Sequence, residues 1–563
     1  MESYRQINIL LIGLTGVGKS SFINSFANYL TYQSIQEAIK ADKPICLVPT
    51  YFEYTDSSIK AYPVRISAND DENEDFTCAS NSSTQSPKIY TFRFKSENLE
   101  INIMDSPGAA DTRGFTMDKQ NIQTILDAVS TFSQLHLICL LLKSTEPRLT
   151  PEFQFGLNEL LMHLHKNAVS NLVFVITNSR ASNYSLGHVS APLKDYLKKL
   201  KKSSNIKIEL NQSNVFCIDN EAYRLQCLWN QYPKLKDPSQ MATVEGSWKT
   251  SFTAIKALIK RGLEINAHDV AETVSLNEAR SAILLLNDPL TKIYVILQTC
   301  VKNYDKNQDA ISVGIINNAH RDLDIKVRKI KAPKTICTKC SLTCHQNCKL
   351  RGIRIKSQVD EKLRDCASFD RETGICFKCG CHYKLHMREL YETEKTYRNQ
   401  NFVDTVDGGS ETTQKNIHEK LDQVIEELSK EKKMIEEALE KFGTFLRNNA
   451  ILEYNYVLEN RLELEIKLAE GNGDYKVATL TKEMLEKYKT QKEQLIDAIK
   501  SGKKQKEIIT SQSIVTEIRE KLFEMKFYGK KIEELYEIQL KLSQADIIET
   551  DRIEYDAIIP ITL

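Results

Sequence analysis

Apolar and polar positions along this chain fall into distinct regimes. Up to about residue 265, short apolar runs alternate with stretches whose apolar residues recur every three or four positions. Residues 7–12 (I-N-I-L-L-I), 99–104 (L-E-I-N-I-M), 135–143 (L-H-L-I-C-L-L-L-K), 171–177 (N-L-V-F-V-I-T) and 215–219 (V-F-C-I-D) read as buried strands, and residues 88–95 (K-I-Y-T-F-R-F-K) alternate as an edge-like strand. Helical periodicity falls between them, over residues 20–30, 117–132, 191–202 and 246–263, and Thr150-Pro151 opens a further helix with proline in its first turn. This alternation predicts a mostly parallel sheet with helices on both faces over residues 1–265, with ligand at the carboxyl ends of the strands. Residues 69–86, acidic and rich in Ser and Asn, read as a mobile loop or a passive insertion.

Beyond that domain the periodicity becomes helical. Residues 266–332 read as a helical connector with Leu284, Leu285, Leu286, Ile293 and Ile296 on its apolar faces. Residues 333–390 are rich in Cys and His, residues 391–413 read as a linker, and residues 414–563 as a helical bundle or coiled coil. Ile417, Leu421, Val424, Leu428, Ile435, Ala438 and Phe442 follow a 4-3 spacing that Glu431 interrupts. Gly471-Asn472-Gly473 marks a tight connection between two helices.

Chemistry concentrates at the strand ends. Gly13-Leu14-Thr15-Gly16-Val17-Gly18-Lys19-Ser20, followed by Ser21, matches G-x-x-x-x-G-K-[ST] between a strand and a helix. In that setting the glycines admit backbone N–H groups to a phosphate, Lys19 reaches the β/γ-phosphates and the Ser20 hydroxyl ligates Mg2+. The strand over residues 99–104 ends in Asp105-Ser106-Pro107-Gly108, the D-x-x-G pattern in which the Asp holds the Mg2+ shell and the Gly N–H senses a γ-phosphate. Thr84, just before the strand over residues 88–95, is the preferred Mg2+-sensing threonine, and Thr50 competes with it. At the base end, Thr177-Asn178-Ser179-Arg180 stands where [NT]-K-x-D is usual, so an arginine replaces the acceptor of guanine N1 and N2. Arg180 is left to donate to O6 or N7 or to stack on the ring, and Asp219 or Asn220 to lie near the base.

Charge and length add mainly exclusions. The 563 residues allow three or four domains, and 76 basic against 75 acidic residues give a net charge of +1, which draws the chain toward neither nucleic acid nor acidic lipid. No apolar run is long enough to span a bilayer, and no signal-peptide or lipidation pattern is visible, so a cytoplasmic protein with reduced cysteines is expected. His163 and His165, two apart on a helix, read as surface histidines.

Together, G-L-T-G-V-G-K-S, D-S-P-G-A-A-D-T-R-G, F-V-I-T-N-S-R and C-I-D-N-E-A-Y-R resemble the septin/Toc-type (paraseptin, TRAFAC-class) P-loop GTPases. Within that group the chain resembles members with a cysteine-rich segment and a helical tail. The resemblance covers residues 1–265 and, more loosely, residues 275–286, the cysteine cluster and residues 448–455. It implies GTP/GDP and Mg2+ binding, slow hydrolysis and nucleotide-gated association through the G domain or the helical tail. Arg113 is the candidate charge-stabilising residue, in cis or across a dimer, or else a surface loop arginine. Ala109 follows the D-x-x-G motif where many GTPases place a water-orienting Gln, which argues against fast turnover. A non-catalytic nucleotide-binding scaffold and an ATPase are the alternatives.

Eight of the fourteen cysteines fall between Cys337 and Cys381. Two C-x-x-C knuckles, Cys337/Cys340 and Cys376/Cys379, supply the four soft donors a tetrahedral Zn2+ requires. Cys344, Cys348, Cys381 and His386 form the best second set, and the competing reading is free thiols in a helical domain. Without a catalytic Glu-helix pattern, a structural site is expected.

Overall fold

The computed structural model describes residues 4–66, 87–108, 125–304, 323–337, 342–348, 361–397, 411–502, 513–544 and 552–557, apart from 42, 205, 372, 384–385, 456 and 472–474. In chain order the elements begin β1 (Arg5–Gly13), α1 (Lys19–Tyr29), α2 (Ile35–Lys40), β2 (Thr50–Thr55), β3 (Ala61–Ile66), β4 (Lys88–Phe94) and β5 (Leu99–Asp105). They continue with β6 (Gln134–Leu135), β7 (Leu137–Lys143), α3 (Pro151–His163), β8 (Leu172–Thr177), α4 (Ser190–Ser204), β9 (Val215–Cys217), α5 (Glu221–Gln231), α6 (Met241–Glu264), β10 (His268–Asp269) and α7 (Val270–Tyr304). The rest comprises β11 (Leu323–Cys337), β12 (Leu342–His345), β13 (His386–Tyr397), α8 (Glu411–Asn449), α9 (Leu458–Gly471), α10 (Tyr475–Gly502), α11 (Ser513–Phe523), α12 (Gly529–Gln544) and β14 (Arg552–Asp556). The chain divides into two compact units. One comprises Met1–Asn287, Glu436–Phe523 and Gln539–Leu563, and the other Asp288–Ile435 and Glu524–Ile538.

In the first unit a seven-stranded sheet has the order β14-β4-β5-β1-β7-β8-β9, parallel except for the antiparallel pairing of β4 with β5. Alternation along β1 sends Ile7, Ile9 and Leu11 into one core and Leu10 and Ile12 into the other. The first core packs against Phe22 and Phe26 of α1, Tyr223 of α5 and Trp248 of α6, and the second against Phe153 and Leu157 of α3 and Leu193 of α4. Both faces are thus covered, which is why the central strands read as continuous apolar runs. The asparagines within those runs satisfy one another. Thr91 Oγ1 donates to Asn102 Oδ1 (2.7 Å), Asn102 Nδ2 to Asn8 Oδ1 (2.9 Å) and Asn8 Nδ2 to the Gln134 carbonyl (2.8 Å). This is a G-domain-type α/β fold. Residues 125–129 of the helix expected over 117–132 are helical; the remainder of its first part, and the loop over 69–86, lie outside the described residues.

The sheet's outermost strand comes from the far end of the chain. β14 pairs in parallel with β4, from Arg552 against Ile89 to Asp556 against Arg93. Arg93 makes a two-pronged ion pair with Glu554 (2.6 Å to each oxygen), Lys95 pairs with Asp556 (2.8 Å), and the Tyr555 and Thr31 hydroxyls meet at 2.5 Å. The all-helical reading of residues 414–563 is therefore corrected here. R-I-E-Y-D has the period-two alternation of a half-buried strand.

Helices α9 and α10 pack on α3 within the same unit. Leu458, Leu462, Ile466 and Leu485 bury against Phe155 of α3. Asn455 Nδ2 donates to the Phe155 carbonyl (3.1 Å) and Glu159 (2.9 Å), and buried Arg280 donates to the carbonyls of Glu453, Met162 and Leu452. His165 is also buried, not a surface residue. Its Nδ1 lies 3.3 Å from a Glu272 oxygen that His268 shares at 3.4 Å.

The second unit carries a three-stranded antiparallel sheet of order β12-β11-β13. Its register runs from Leu323 against Tyr397 to Cys337 against His386, with an irregularity between Lys329 and Lys334. Two expectations change accordingly. Within the connector over 266–332 the described residues are helical through Tyr304 and strand from Leu323, where β11 begins, and the linker over 391–413 contains the end of β13 and the start of α8. I-K-V-R and L-Y-E-T-E-K-T-Y alternate with period two, a strand signal that their high charge obscures. In α8 the 4-3 stripe is buried at Leu421, Leu428, Ile435, Ala438 and Phe442. Glu431, the residue that breaks it, is buried as well, and its carboxylate accepts the N–H groups of Phe527 (2.6 Å) and Tyr528 (3.1 Å) just before α12.

Candidate functional site

β1 delivers the chain into the phosphate-binding loop at Gly13, where a Cβ would lie 2.8 Å from Val17 Cγ1 and 3.0 Å from the Leu141 carbonyl. Gly18, at φ 102°, takes the left-handed conformation at the N-cap of α1 and provides no side-chain cap. With no acidic residue in the first turn, the N–H groups of α1 are left for an anion. Lys19 is buried, and its Nζ donates to the loop carbonyls of Gly13 (3.1 Å) and Leu14 (3.3 Å). The loop thus holds the ammonium group on its own backbone at the place where a phosphate oxygen would take it over.

The second motif meets this loop. Ser20 Oγ lies 3.5 Å from Asp105 Oδ2, the hydroxyl–carboxylate pair that a hydrated Mg2+ needs. Burial pushes the Asp105 carboxyl up to about 6, against the opposing pull of Lys19, the Ser106 N–H and Ser20. Gly108 abuts Thr15 so closely that a Cβ would stand 2.3 Å from Thr15 Oγ1 and 2.9 Å from Thr15 N. Thr15 Oγ1 is buried with no hydrogen-bond partner among the described residues. Thr15 lines a cleft of ≈ 810 Å3 with Gly16, Lys19, Ser20 and Ser21, a volume in the small-ligand range of about 300–1,000 Å3. An orphaned hydroxyl, a buried ammonium and a hydroxyl–carboxylate pair together fit a Mg2+-bound phosphate.

At the base end each expected residue has a local partner or a place in the cleft wall. Thr177 Oγ1 donates to the Val17 carbonyl (2.8 Å) and so ties β8 to the phosphate loop rather than presenting itself to a base. Asn178 takes a left-handed φ of 54° and lines the cleft. The Arg180 guanidinium lines the cleft and pairs with the Glu221 carboxylate. The two oxygens of Asp219 accept the N–H groups of Arg180 (3.0 Å) and Glu221 (2.9 Å), stapling the loop after β8 to the start of α5. Asn220 lines the cleft beside Gly18, its Nδ2 3.4 Å from where a Gly18 Cβ would be.

The switch positions divide. Thr84 and Arg113 lie outside the described residues, as does Ala109. The competitor Thr50 stands in the cleft wall, where its Oγ1 accepts from Asn24 Nδ2 (2.9 Å). Sequence reasoning missed the hairpin of β2 and β3, which brings Tyr51, Phe52 and Tyr54 to the same cleft, and Arg224, whose guanidinium stacks 4.5 Å over Phe52. The alternation in T-Y-F-E-Y-T was the available signal.

In the cysteine-rich segment the structure redistributes the expected sets. The donor atoms of Cys344, Cys376, Cys379 and His386 all lie within 4.8 Å of one another, and so do those of Cys337, Cys379 and Cys381. Cys340 is outside the described residues. Cys348 separates from Cys344, Cys381 and His386 and groups instead with His345 and Cys366. His386 Nδ1 lies 3.0 Å from the His382 carbonyl, which only accepts; the Nδ1 position therefore carries the proton and Nε2, 3.3 Å from Cys379 Sγ, keeps its lone pair for a metal. Burial raises the Cys379 thiol, but the Cys381 N–H and the thiols of Cys376, Cys344 and Cys337 together bring it down to about 7. These four donors fit Zn2+, and no catalytic Glu stands among them.

Residues 324–392 match a family described as a domain of unknown function (DUF8206). No curated protein matches the chain. Similar solved structures include three crystal structures of Toc33 from Arabidopsis thaliana. A dimerization-deficient mutant is 14% identical, covers 46% of this chain and 86% of its own, and has a TM-score of 0.26. The complex with GDP and Mg2+ is 15% identical over 48% of this chain and 88% of its own, with a TM-score of 0.22. The complex with Mg2+ and GMPPNP is 15% identical over 46% and 87%, with a TM-score of 0.23. At these identities and scores, the fold assignment rests on this chain's own strand order and loop geometry. No helix among the described residues is long and apolar enough to cross a membrane.

Proposed function

We propose that the N-terminal α/β domain binds a guanine nucleotide with Mg2+, hydrolyses it slowly, and acts as a nucleotide-gated switch or assembly module in the cytoplasm. The carrying observation is the convergence in one cleft of Lys19 Nζ, the orphaned Thr15 hydroxyl and the Ser20–Asp105 pair at the uncapped start of α1. Lys19 and the loop N–H groups neutralise phosphate charge, Ser20 and a switch threonine (Thr84 or Thr50) meet the Mg2+, and Asp105 acts in its outer shell. Equilibrium titration with GTP, GDP and ATP in Mg2+ tests this, with Lys19→Ala as the control. Loss of charge-assisted bonds worth about 1.5–3 kcal/mol each should weaken binding at least tenfold. Equal binding by wild type and variant rejects the reading.

The base end favours a second reading. With Arg180 held by Glu221 and both Asp219 oxygens taken by backbone N–H groups, base selection is relaxed and ATP is accepted too. Competition of ATP against bound GDP separates the two. For the cysteine-rich segment we propose a structural Zn2+ on Cys344, Cys376, Cys379 and His386, tested by the zinc content of Cys376→Ser.

A further inference from the structure

We propose that His345, Cys348 and Cys366 form a second zinc centre, separate from the one around Cys379. Its basis is how β12 distributes its side chains. Cys344 and His345 are consecutive residues of a strand, and consecutive strand residues point to opposite faces. The structure follows that rule. Cys344 groups with Cys376, Cys379 and His386, while its neighbour His345 groups with Cys348 and Cys366. One short strand therefore feeds two clusters, and one donor set nests within the other along the chain: 344, then 345, 348 and 366, then 376, 379 and 386. Such nesting of ligand sets ties the segment together with few residues, which suits a stretch whose own apolar core is small.

The sulfur–sulfur spacing is that of two ligands on one ion, and the imidazole nitrogen lies within reach of the same point. Zn2+ holds thiolate sulfur at about 2.3 Å and imidazole nitrogen at about 2.0–2.1 Å in a tetrahedron, which sets S···S near about 3.8 Å and N···S near about 3.6 Å. Cys348 Sγ and Cys366 Sγ are 3.8 Å apart, and His345 Nδ1 is 3.0 Å from Cys366 Sγ. Both cysteines are almost wholly buried, at 1% and 2% exposure. A separation of 3.8 Å is far beyond the roughly 2.05 Å of a disulfide, so the two sulfurs are not bonded to each other. The backbone holds the set in place. Cys366 follows the 3-10 turn Glu361–Asp365, its N–H bonded to the Leu363 carbonyl (3.0 Å), and His345 lies opposite Thr335 in the β11–β12 pairing. His345, Cys348 and Cys366 supply three corners of the tetrahedron.

Elemental analysis of the full chain, purified with zinc under thiol reductant, tests the assignment beside a Co2+-reconstituted sample. Cys366→Ser should lower zinc content by one ion per chain while the Cys376-dependent ion stays. Cys376→Ser should lower it by one in its turn, leaving the Cys366-dependent ion. His345→Cys guards against a folding failure in the serine variant. It should keep the ion and raise the thiolate-to-cobalt absorption of this centre from that of two thiolates to that of three. An unchanged zinc count in Cys366→Ser overturns the proposal, as does a cobalt spectrum unchanged in His345→Cys or a Cys348–Cys366 disulfide in the freshly purified wild type. A loss confined to Cys376→Ser would leave the first centre standing and remove the second.

Discussion

The contact between Gly108 and Thr15 makes a sharp prediction for Gly108→Ala. In the structure the added Cβ would stand 2.3 Å from Thr15 Oγ1 and 2.9 Å from the Thr15 backbone nitrogen. The hydroxyl can rotate, but the backbone cannot step aside without moving the phosphate loop, so the two loops must part by about 1 Å. Overpacking of this kind typically costs about 1–3 kcal/mol. In a switch of the proposed type, the glycine N–H is drawn to the γ-phosphate, a contact that a diphosphate does not offer. The cost should therefore fall on the triphosphate complex, weakening a non-hydrolysable GTP analogue by about 5- to 150-fold. GDP should be affected much less. Paired equilibrium titrations with Mg·GDP and the Mg·GTP analogue measure the difference directly, and denaturant midpoints report any general loss of stability. Equal weakening of both nucleotides, or of neither, would refute the placement of Gly108 at the γ-phosphate position.

Other outcomes follow from the same geometry. Asp219→Ala leaves the N–H groups of Arg180 and Glu221 without their acceptor, and should destabilise the domain by about 1–3 kcal/mol and weaken nucleotide binding; a wild-type urea midpoint and affinity would show the staple to be idle. Burial raises the Glu431 carboxyl above its ordinary value of 4.5, so the folded state binds its proton more tightly than the unfolded state does. This contribution is complete below about pH 4.5 and is lost as pH rises through the raised value. The urea midpoint of the wild type relative to Glu431→Gln should therefore fall as pH rises above 4.5, and parallel profiles would contradict the assignment. Deleting residues 552–563 opens the edge of β4 and should produce self-association in sedimentation velocity together with a lower denaturation midpoint; a monodisperse truncation with an unchanged midpoint would show β14 to be dispensable.

What the sequence revealed depended on how local each feature is. The strand–loop–helix around Lys19 and the apolar strand ending at Asp105 lie within short windows, and the mostly parallel sheet could be anticipated from such windows, though its outermost strand β14 could not. The base end could not, because the partner that occupies Arg180 is Glu221, brought in by the start of α5. Glu431 looked like a fault in a heptad, since nothing local announces that two N–H groups before α12 need an acceptor. The cysteine order predicted metal but not its partition, because the partition turns on which face of β12 each residue takes. Spacing ranked Thr84 above Thr50; only Thr50 falls within the described residues, in the cleft wall.

The pairing of β14 with β4 also has a meaning in time. Arg93 and Glu554 are 461 residues apart. At a synthesis rate of about 5–20 residues per second, roughly 20–90 seconds separate the emergence of the two strands from the ribosome. Throughout that interval the sheet can form from β4 to β9, but β4 presents an unpaired edge, the kind of surface on which nascent chains of the same sequence pair with one another. A polysome translating this message would carry many such edges side by side. The chain's need for a chaperone, or for slow and dilute expression, should therefore be greatest before its last strand is made and should fall once residues 552–556 are available to close the sheet.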